Sequence, residues 1–542
     1  MKRIHILFFL FIINYSNAFC KPIEIQDELI GSWRGSMKAM RADDKETTVY
    51  LGVNIDKKEK SLSAHLNAYQ INLDTIVTQL KVSNDQKINF EFMLRNKRVT
   101  FSGNYQDNTI RGHIKDDDYQ REVVLHRVFR KISAERIQHL GGLYKFKNGR
   151  TILLSPAQWT LRYYNLEDGA FRTFFPESRT QFFAGTGYLE PTPIEYVINF
   201  NQENKLVFHD LKSNVKTIAE RDESIEFEKI WVQNGNIKLS AMLFLPAQNE
   251  GLVPGVAIAA GSGRQNKYGS SGLPHHRAIW LALHGYATII FDKRGVGDSE
   301  GNYDNRTQDL LASDVASMAD YLASHPRVDS NNVGLLVHSQ SGIYAPKTIA
   351  MSKNISFAAV ISTTLVNGEL QEIVRTKQQL EADGYSKEDI ADAVTTQVLK
   401  FFYANHRIGW DAYVNAYNRV KDKEWFDNII GSTIDPNRHS WDFWKDGNGF
   451  EPYKLWQKID IPVLMLFGTS DPINPINKNL EVLKLSYAGD REKLLTIKIY
   501  ENADHGLFMA TEGGLFEESK VNQLTNYLEF VDRWIKKIIV EF

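Results

Sequence analysis

The segment Val333-Gly-Leu-Leu-Val-His-Ser339-Gln-Ser-Gly342 constrains this chain more than any other. An apolar run of strand type ends on a serine flanked by small residues, and a helix follows. A chain of this pattern must turn sharply, and that turn holds a serine Oγ above the edge of a parallel sheet, the form of a nucleophile elbow. Two later segments end in the same way. Gly468-Thr-Ser-Asp471 follows the apolar run Pro462–Phe467, and Asn502-Ala-Asp-His505-Gly506 follows Leu494–Tyr500. Serine, acid and histidine thus come in that order, each just past a strand.

A chain of 542 residues is long enough for two or three domains. Its formal net charge of −2 carries no basic footprint of the kind that binds nucleic acid. Beyond the N-terminus no apolar run reaches the roughly 18 residues that would span a bilayer. The N-terminus itself reads as an export signal over residues 1–18. Lys2 and Arg3 precede the apolar Ile4–Ile13, and Ser16-Asn17-Ala18 offers small residues for cleavage after Ala18. Cys20 is the only cysteine, so no internal disulfide is possible. Acylation of Cys20 is the second reading, disfavoured by the bulky Phe19 before it.

Residues 27–130 alternate apolar and polar residues. Ile88, Phe90, Phe92 and Leu94 share one strand face, and Val99, Phe101 and Tyr105 another. Turns at Asn84-Asp85, Arg95-Asn96 and Asp107-Asn108 make this an antiparallel meander, a barrel or a sandwich. Gly31-Ser-Trp33-Arg-Gly35 and Phe101-Ser-Gly103 loosely resemble strand markers of lipocalin-like barrels. A second β-rich stretch covers 138–228. The two together offer about 200 residues, too few for a seven-bladed propeller at about 40–50 residues per blade.

From 229 to 542 short apolar strands alternate with helical spacing, which predicts an α/β fold, a doubly wound and mostly parallel sheet. Leu311, Val315, Met318 and Leu322 predict one covering helix, and Tyr527, Leu528, Val531, Trp534 and Ile538 another. An insert at about 365–455 interrupts the rhythm. Ser386-Lys-Glu-Asp389 starts a helix with Ile390, Val394, Val398 and Phe401 on one stripe. Five of the ten tryptophans lie between Trp410 and Trp456. The insert is expected to be a helical lid, with most of these aromatics packing it onto the core.

A serine hydroxyl needs a base to take its proton, and the base needs a third group to orient it. Ser339 is the expected nucleophile, His505 the base and Asp471 the orienting carboxylate. Ser341 is the local rival to Ser339, and Asp504 to Asp471. The expected oxyanion donors are the backbone N–H groups of Gln340 and of Ser262 in Ala260-Gly-Ser-Gly263, with Gly261 as the alternative. His275-His276 face different ways and have no accompanying ligands, so no metal is expected. Gly295-Val-Gly297 lacks dinucleotide spacing and no phosphate-binding Gly-Lys-Ser/Thr occurs, so no cofactor is expected.

Phe291-Asp-Lys-Arg294-Gly-Val-Gly297-Asp-Ser299, Ile461-Pro-Val-Leu with Gly468-x-x-Asp471, and the serine and histidine segments carry a resemblance. Residues 229–542 resemble secreted bacterial serine hydrolases of the α/β-hydrolase superfamily, on the branch of dienelactone hydrolases and prolyl oligopeptidase catalytic domains. The resemblance implies a small-molecule ester or short peptide as substrate. Three readings stand: an exported hydrolase of carboxylic esters acting through an acyl-enzyme, a peptidase using the same triad, and a non-catalytic binding protein. Val337 stands where the family usually has glycine two before the serine, and Ser341 where it has glycine two after. Ala260-Gly261 replaces its usual His-Gly. The sequence leaves the oligomeric state open.

Overall fold

The computed structural model describes residues 28–541 apart from 41–45, 59–60, 69–72, 78–79, 84, 95–96, 117–119, 186, 190, 202–204, 249–250, 431–433, 437–440, 442–450, 475 and 510–522. The expected leader, Cys20 and Trp444 lie outside the described residues. Among the described residues no helix is long and apolar enough to cross a membrane.

Nine antiparallel strands between Gly31 and Val128 form the first sheet. Sequence neighbours pair except Leu73–Val77 with Lys81–Val82, and Gly31–Met40 pairs with both Glu46–Lys58 and Gln120–Val128. The pairing ends at Leu73–Val77 on one side and Lys81–Val82 on the other. Period-two alternation sends Ile88, Phe90, Phe92, Val99, Phe101 and Tyr105 inward around Trp33, whose indole N–H donates to the Leu29 carbonyl at 3.0 Å. Gly103 and Gly112 sit opposite one another, and a Cβ on either would strike the Phe101 ring. Glycine there leaves that ring free to stack on Phe90 at 4.7 Å.

Ser133 caps a short helix, Ala134–Leu140, that leads into a closed barrel of eight antiparallel strands from Gly142–Phe146 to Val215–Arg221. Tyr163, Phe174, Phe200 and Phe208 fill it. Alternation is missing from strands such as Thr151–Ala157 because both faces are covered. Ile152 and Leu154 point into the barrel, whereas Leu143, Leu153, Tyr164 and Phe171 leave it and join the core of the α/β domain. Ser36 Oγ donates to the Thr192 carbonyl at 3.0 Å, tying the first sheet to the barrel.

The α/β domain has an eight-stranded sheet. Ile225–Asn234, Ile237–Pro246 and Ala287–Phe291 pair antiparallel at one side. Val253–Ala259, Val328–His338, Ile355–Ile361, Val463–Gly468 and Leu495–Tyr500 then run parallel, with Val253–Ala259 between Ala287–Phe291 and Val328–His338. Ala257, Ala259, Leu335 and Val337 share a cluster with the helix Gln308–Ser324. Their neighbours Val256, Ile258 and Leu336 share another with Leu273–Leu283 and Tyr527–Glu541. Two apolar faces explain strands that are apolar throughout.

The insert between Ile355–Ile361 and Val463–Gly468 carries the helices Gly368–Ala382, Lys387–His406, Trp410–Val420, Phe426–Ile429 and Pro452–Trp456. Ser386 Oγ accepts from Asp389 N at 3.1 Å, capping the second of these. Its buried face is Ala393, Thr396, Gln397 and Phe401, and Val398 is exposed, so the expected stripe is rotated. The expectation that most of the aromatics pack the insert onto the core is also corrected. Trp410, Trp425 and Trp441 pack within the insert, and Trp456 joins the sheet core. Spacing alone identifies an apolar face without naming what covers it.

Gly334 leads the strand toward the elbow with a Phe357 ring against its Cα, where a Cβ would lie 2.2 Å from ring carbons. Gly334→Ala is expected to cost about 1–3 kcal/mol by overpacking, measured as a lowered unfolding midpoint.

Candidate active site

The strand Val328–His338 ends in Ser339, and the helix Gln340–Met351 begins at the next residue. Ser339 carries φ 57° and ψ −122°, a conformation that non-glycine residues avoid. Main-chain bonds hold it there. Ser339 N donates to the Ile361 carbonyl at 2.9 Å, and the Ser339 carbonyl accepts from Gly342 N at 2.9 Å and from Thr363 Oγ1 at 3.0 Å. At Gly342 a Cβ would overlap Thr363 and Val360, so glycine lets the helix lie this close to the sheet.

Ser341 has a different task. It is wholly buried, and its Oγ accepts from His338 N at 2.8 Å while facing the carbonyls of His338 and Ala259 at 2.9 and 3.1 Å. Its hydroxyl is occupied in bracing the turn. Val337 occupies core space beside the helix Gln308–Ser324, in register with Ala259 and Val360. The small Ala259 alongside makes room for it, and the turn at Ser339 forms with valine in place.

Asp471 and His505 meet at the same carboxyl edge, in the loops after Val463–Gly468 and Leu495–Tyr500. His505 Nδ1 lies 2.8 Å from Asp471 Oδ2, with the carboxylate 1 % and the imidazole 17 % exposed. Asp471 Oδ1 accepts from Ile473 N at 2.8 Å and Asn474 N at 3.0 Å. A carboxylate so held can only accept, so Nδ1 carries the proton and Nε2 is left with its lone pair. Among the described residues Ser339 Oγ has no hydrogen bond to the ring. Such bonds often tighten only when substrate binds. Gln371 Nε2, from the first helix of the insert, donates to the Ile473 carbonyl at 2.9 Å and joins the insert to the acid loop.

Gly261 passes directly over the serine, and a Cβ built there would lie 3.0 Å from Ser339 Cβ. Ser262 N has no acceptor among the described residues, and Gln340 N lies in the first turn of its helix, where N–H groups lack an intrahelical acceptor. These are the two N–H groups expected from the sequence. The Asp-Lys-Arg-Gly loop behind them is braced by charge. Asp292 accepts from Lys267 Nζ at 2.7 Å, and Arg294 forks onto Asp314 through Nε at 2.8 Å and Nη2 at 2.7 Å. Gly297 packs on Asp292, where a Cβ would strike the carboxylate, which accounts for this glycine without a nucleotide.

Sequence reasoning passed over His338. Its Nε2 lies 2.8 Å from the His505 carbonyl, so Nε2–H donates and Nδ1 faces Gly261. Burial, then Arg277 and His505, hold its pKa well below the ordinary histidine value, so the ring stays neutral. Its position beside the serine was the available signal. His275 and His276 are buried against the barrel. His275 Nδ1 lies 2.9 Å from Ser155 Oγ, and His276 stacks on Tyr164 at 4.5 Å. Burial lowers both pKa values to about 3. The described residues contain no group of three His, Cys, Asp or Glu placed to hold a metal ion.

Asp504 braces the histidine loop, its Oδ1 accepting from Gly506 N at 2.8 Å and Phe508 N at 2.9 Å. Burial raises its pKa from 3.8 to about 6, against the opposing pull of those two bonds. The folded state therefore holds the proton more tightly than the unfolded chain. The stabilisation is full below about pH 4 and is lost as pH rises through about 6. Asp504→Asn is expected to flatten the fall in melting midpoint between pH 4 and 7, read by thermal unfolding across that range.

Residues 234–495 match the X-Pro dipeptidyl-peptidase (S15) family, a span that includes Ser339 and Asp471 and ends before His505. An uncharacterized 31.7 kDa protein in the traX-finO intergenic region of Escherichia coli is 22% identical over 261 residues, 47% of this chain and 81% of that protein. A polyketide transferase of Aspergillus fumigatus is 23% identical over 199 residues, 36% and 66% of the two chains. The structure of Est1E from Butyrivibrio proteoclasticus with ferulic acid bound is similar at 15% identity and TM-score 0.37, covering 58% of this chain and 98% of that one. The S15 match, joined to an α/β sheet that brings a serine, an acid and a histidine to one edge, makes this chain a hydrolase for which ester and peptide substrates are both allowed.

Proposed function

We propose that the chain is an exported serine hydrolase that cleaves carboxylic esters through an acyl-enzyme. Ser339 attacks the carbonyl, and His505 takes its proton and later returns it to the leaving alcohol. Asp471 fixes the imidazole and stabilises its charged form. The N–H groups of Gln340 and Ser262 receive the oxyanion. Water then hydrolyses the acyl-enzyme by the same steps in reverse. The observation that carries this reading is the buried Asp471–His505 bond at 2.8 Å, on the sheet edge where the strained turn presents Ser339.

The wider reading takes the sheet as doubly wound, the insert as a lid and residues 1–18 as a cleaved export signal, with the protein outside the cytoplasm. Peptide hydrolysis by the same triad is the second reading, favoured by the S15 match.

A fluorophosphonate probe tests the mechanism. Wild type and Ser341→Ala are expected to label, Ser339→Ala is expected not to, and Asp471→Asn is expected to lose about 10⁴-fold in kcat. An unlabelled wild type overturns it and leaves a binding protein on this fold, and equal labelling of Ser339→Ala overturns it by placing the reactive group elsewhere. A panel of nitrophenyl acyl esters beside aminoacyl-nitroanilides separates the two substrate classes. Ester turnover is expected, and turnover of the anilides alone would transfer the activity to peptides.

A further inference from the structure

Lys293 is the one residue of the Asp-Lys-Arg-Gly loop that bracing does not explain. It is 3 % exposed and has no carboxylate within ion-pair distance among the described residues, unlike the also buried Lys267, which pairs with Asp292 at 2.7 Å. Its Nζ donates instead to two main-chain carbonyls, Gly261 O and Gly263 O, the second at 3.2 Å. A buried ammonium with no carboxylate bonded to it is costly to keep. Burial first, then Arg306, lower its pKa to about 7 against an opposing pull from Asp314. A loop that needed only to be filled would be served by an apolar side chain.

All three carbonyls of the Gly261–Gly263 loop are engaged on the protein side. Lys293 takes the first and third, Gln265 Nε2 donates to Ser262 O, and Gln265 N donates to Gly263 O at 3.0 Å. A trans peptide points its N–H opposite to its C=O. Gripping the Gly261 carbonyl therefore turns the Ser262 N–H away from Lys293, and the Gly261 Cα on that same peptide abuts Ser339. A hydrogen bond donated to the carbonyl also polarises the peptide and strengthens its N–H as a donor.

We propose that Lys293 is a positioning residue for acyl transfer, holding the Gly261–Ser262 peptide with its N–H presented to the oxyanion formed on attack by Ser339. It touches neither substrate nor the reacting atoms, and this role rests on the acyl-enzyme reading above. Gln265 and Lys293 together keep the loop set before substrate arrives, so no reorganisation is needed as charge develops.

The test uses the full chain as wild type, Lys293→Met and Lys293→Arg, with kcat and KM on a nitrophenyl ester. Fluorophosphonate titration counts reactive serines, so any misfolded fraction drops out of the rate. Lys293→Met is expected to lose about 30-fold or more in kcat with KM changed less than threefold, since the missing interaction acts on the transition state. Lys293→Arg, which keeps charge and donors, is expected to recover at least a third of the logarithmic loss. A Lys293→Met kcat within threefold of wild type per titrated serine overturns the proposal. So does a loss that appears in KM alone. A wild type that neither labels nor turns over ester would instead overturn the acyl-enzyme reading, and the two failures are thereby distinguished.

Discussion

The strained backbone at Ser339 is the constraint on which the rest of this sheet edge depends. A non-glycine residue at φ 57° and ψ −122° costs about 1–3 kcal/mol, and it persists only where its surroundings overdetermine it. Those surroundings come from three parts of the chain. The strand Ile355–Ile361 and Thr363 hold the serine's own peptide groups, and Ser341 satisfies the N–H before it. Gly261 leaves room above, and Gly342 lets the helix close in below.

Around that turn the polar groups are arranged so that few can move independently. His338 is tied to the His505 carbonyl, Asp504 to the two N–H groups beyond it, and Asp471 to the start of the next loop. On the far side Asp292, Arg294 and Asp314 brace the loop that carries Lys293. A charged bond buried in this way is expensive to break, because it leaves an uncompensated partner. Rigidity at the edge therefore follows from burial of charge as much as from the apolar core beneath it.

The barrel before the α/β domain belongs to this arrangement. Phe171 stacks on Phe508 at 4.8 Å, three residues past His505, and Tyr164 OH donates to the Ser271 carbonyl at 2.7 Å. Both the histidine loop and the segment after the Gly261–Gly263 loop thus rest on barrel side chains. Sequence pattern shows the barrel as a second β-rich stretch, and the structure shows strands such as Thr151–Ala157 without alternation. The reason, a second apolar face packed on another domain, is a property of contacts more than 100 residues apart in the chain.

Local pattern by itself determined which elements form and which residues end them. An apolar strand followed by Ser339 and small residues, Asp471 and His505 each past a strand, and helical spacing at Leu311–Leu322 and Tyr527–Ile538 are all written in neighbouring residues. Only tertiary structure decided that Val337 is accommodated, because Ala259 lies beside it in the adjacent strand. It also decided that Ser341 braces the turn, that Trp410, Trp425 and Trp441 pack within the insert, and that His338 and Lys293 face the Gly261–Gly263 loop. Periodicity is a short-range signal, set by backbone geometry over a few residues. The partner that satisfies a buried hydroxyl, imidazole or ammonium comes from wherever the fold brings the chain back.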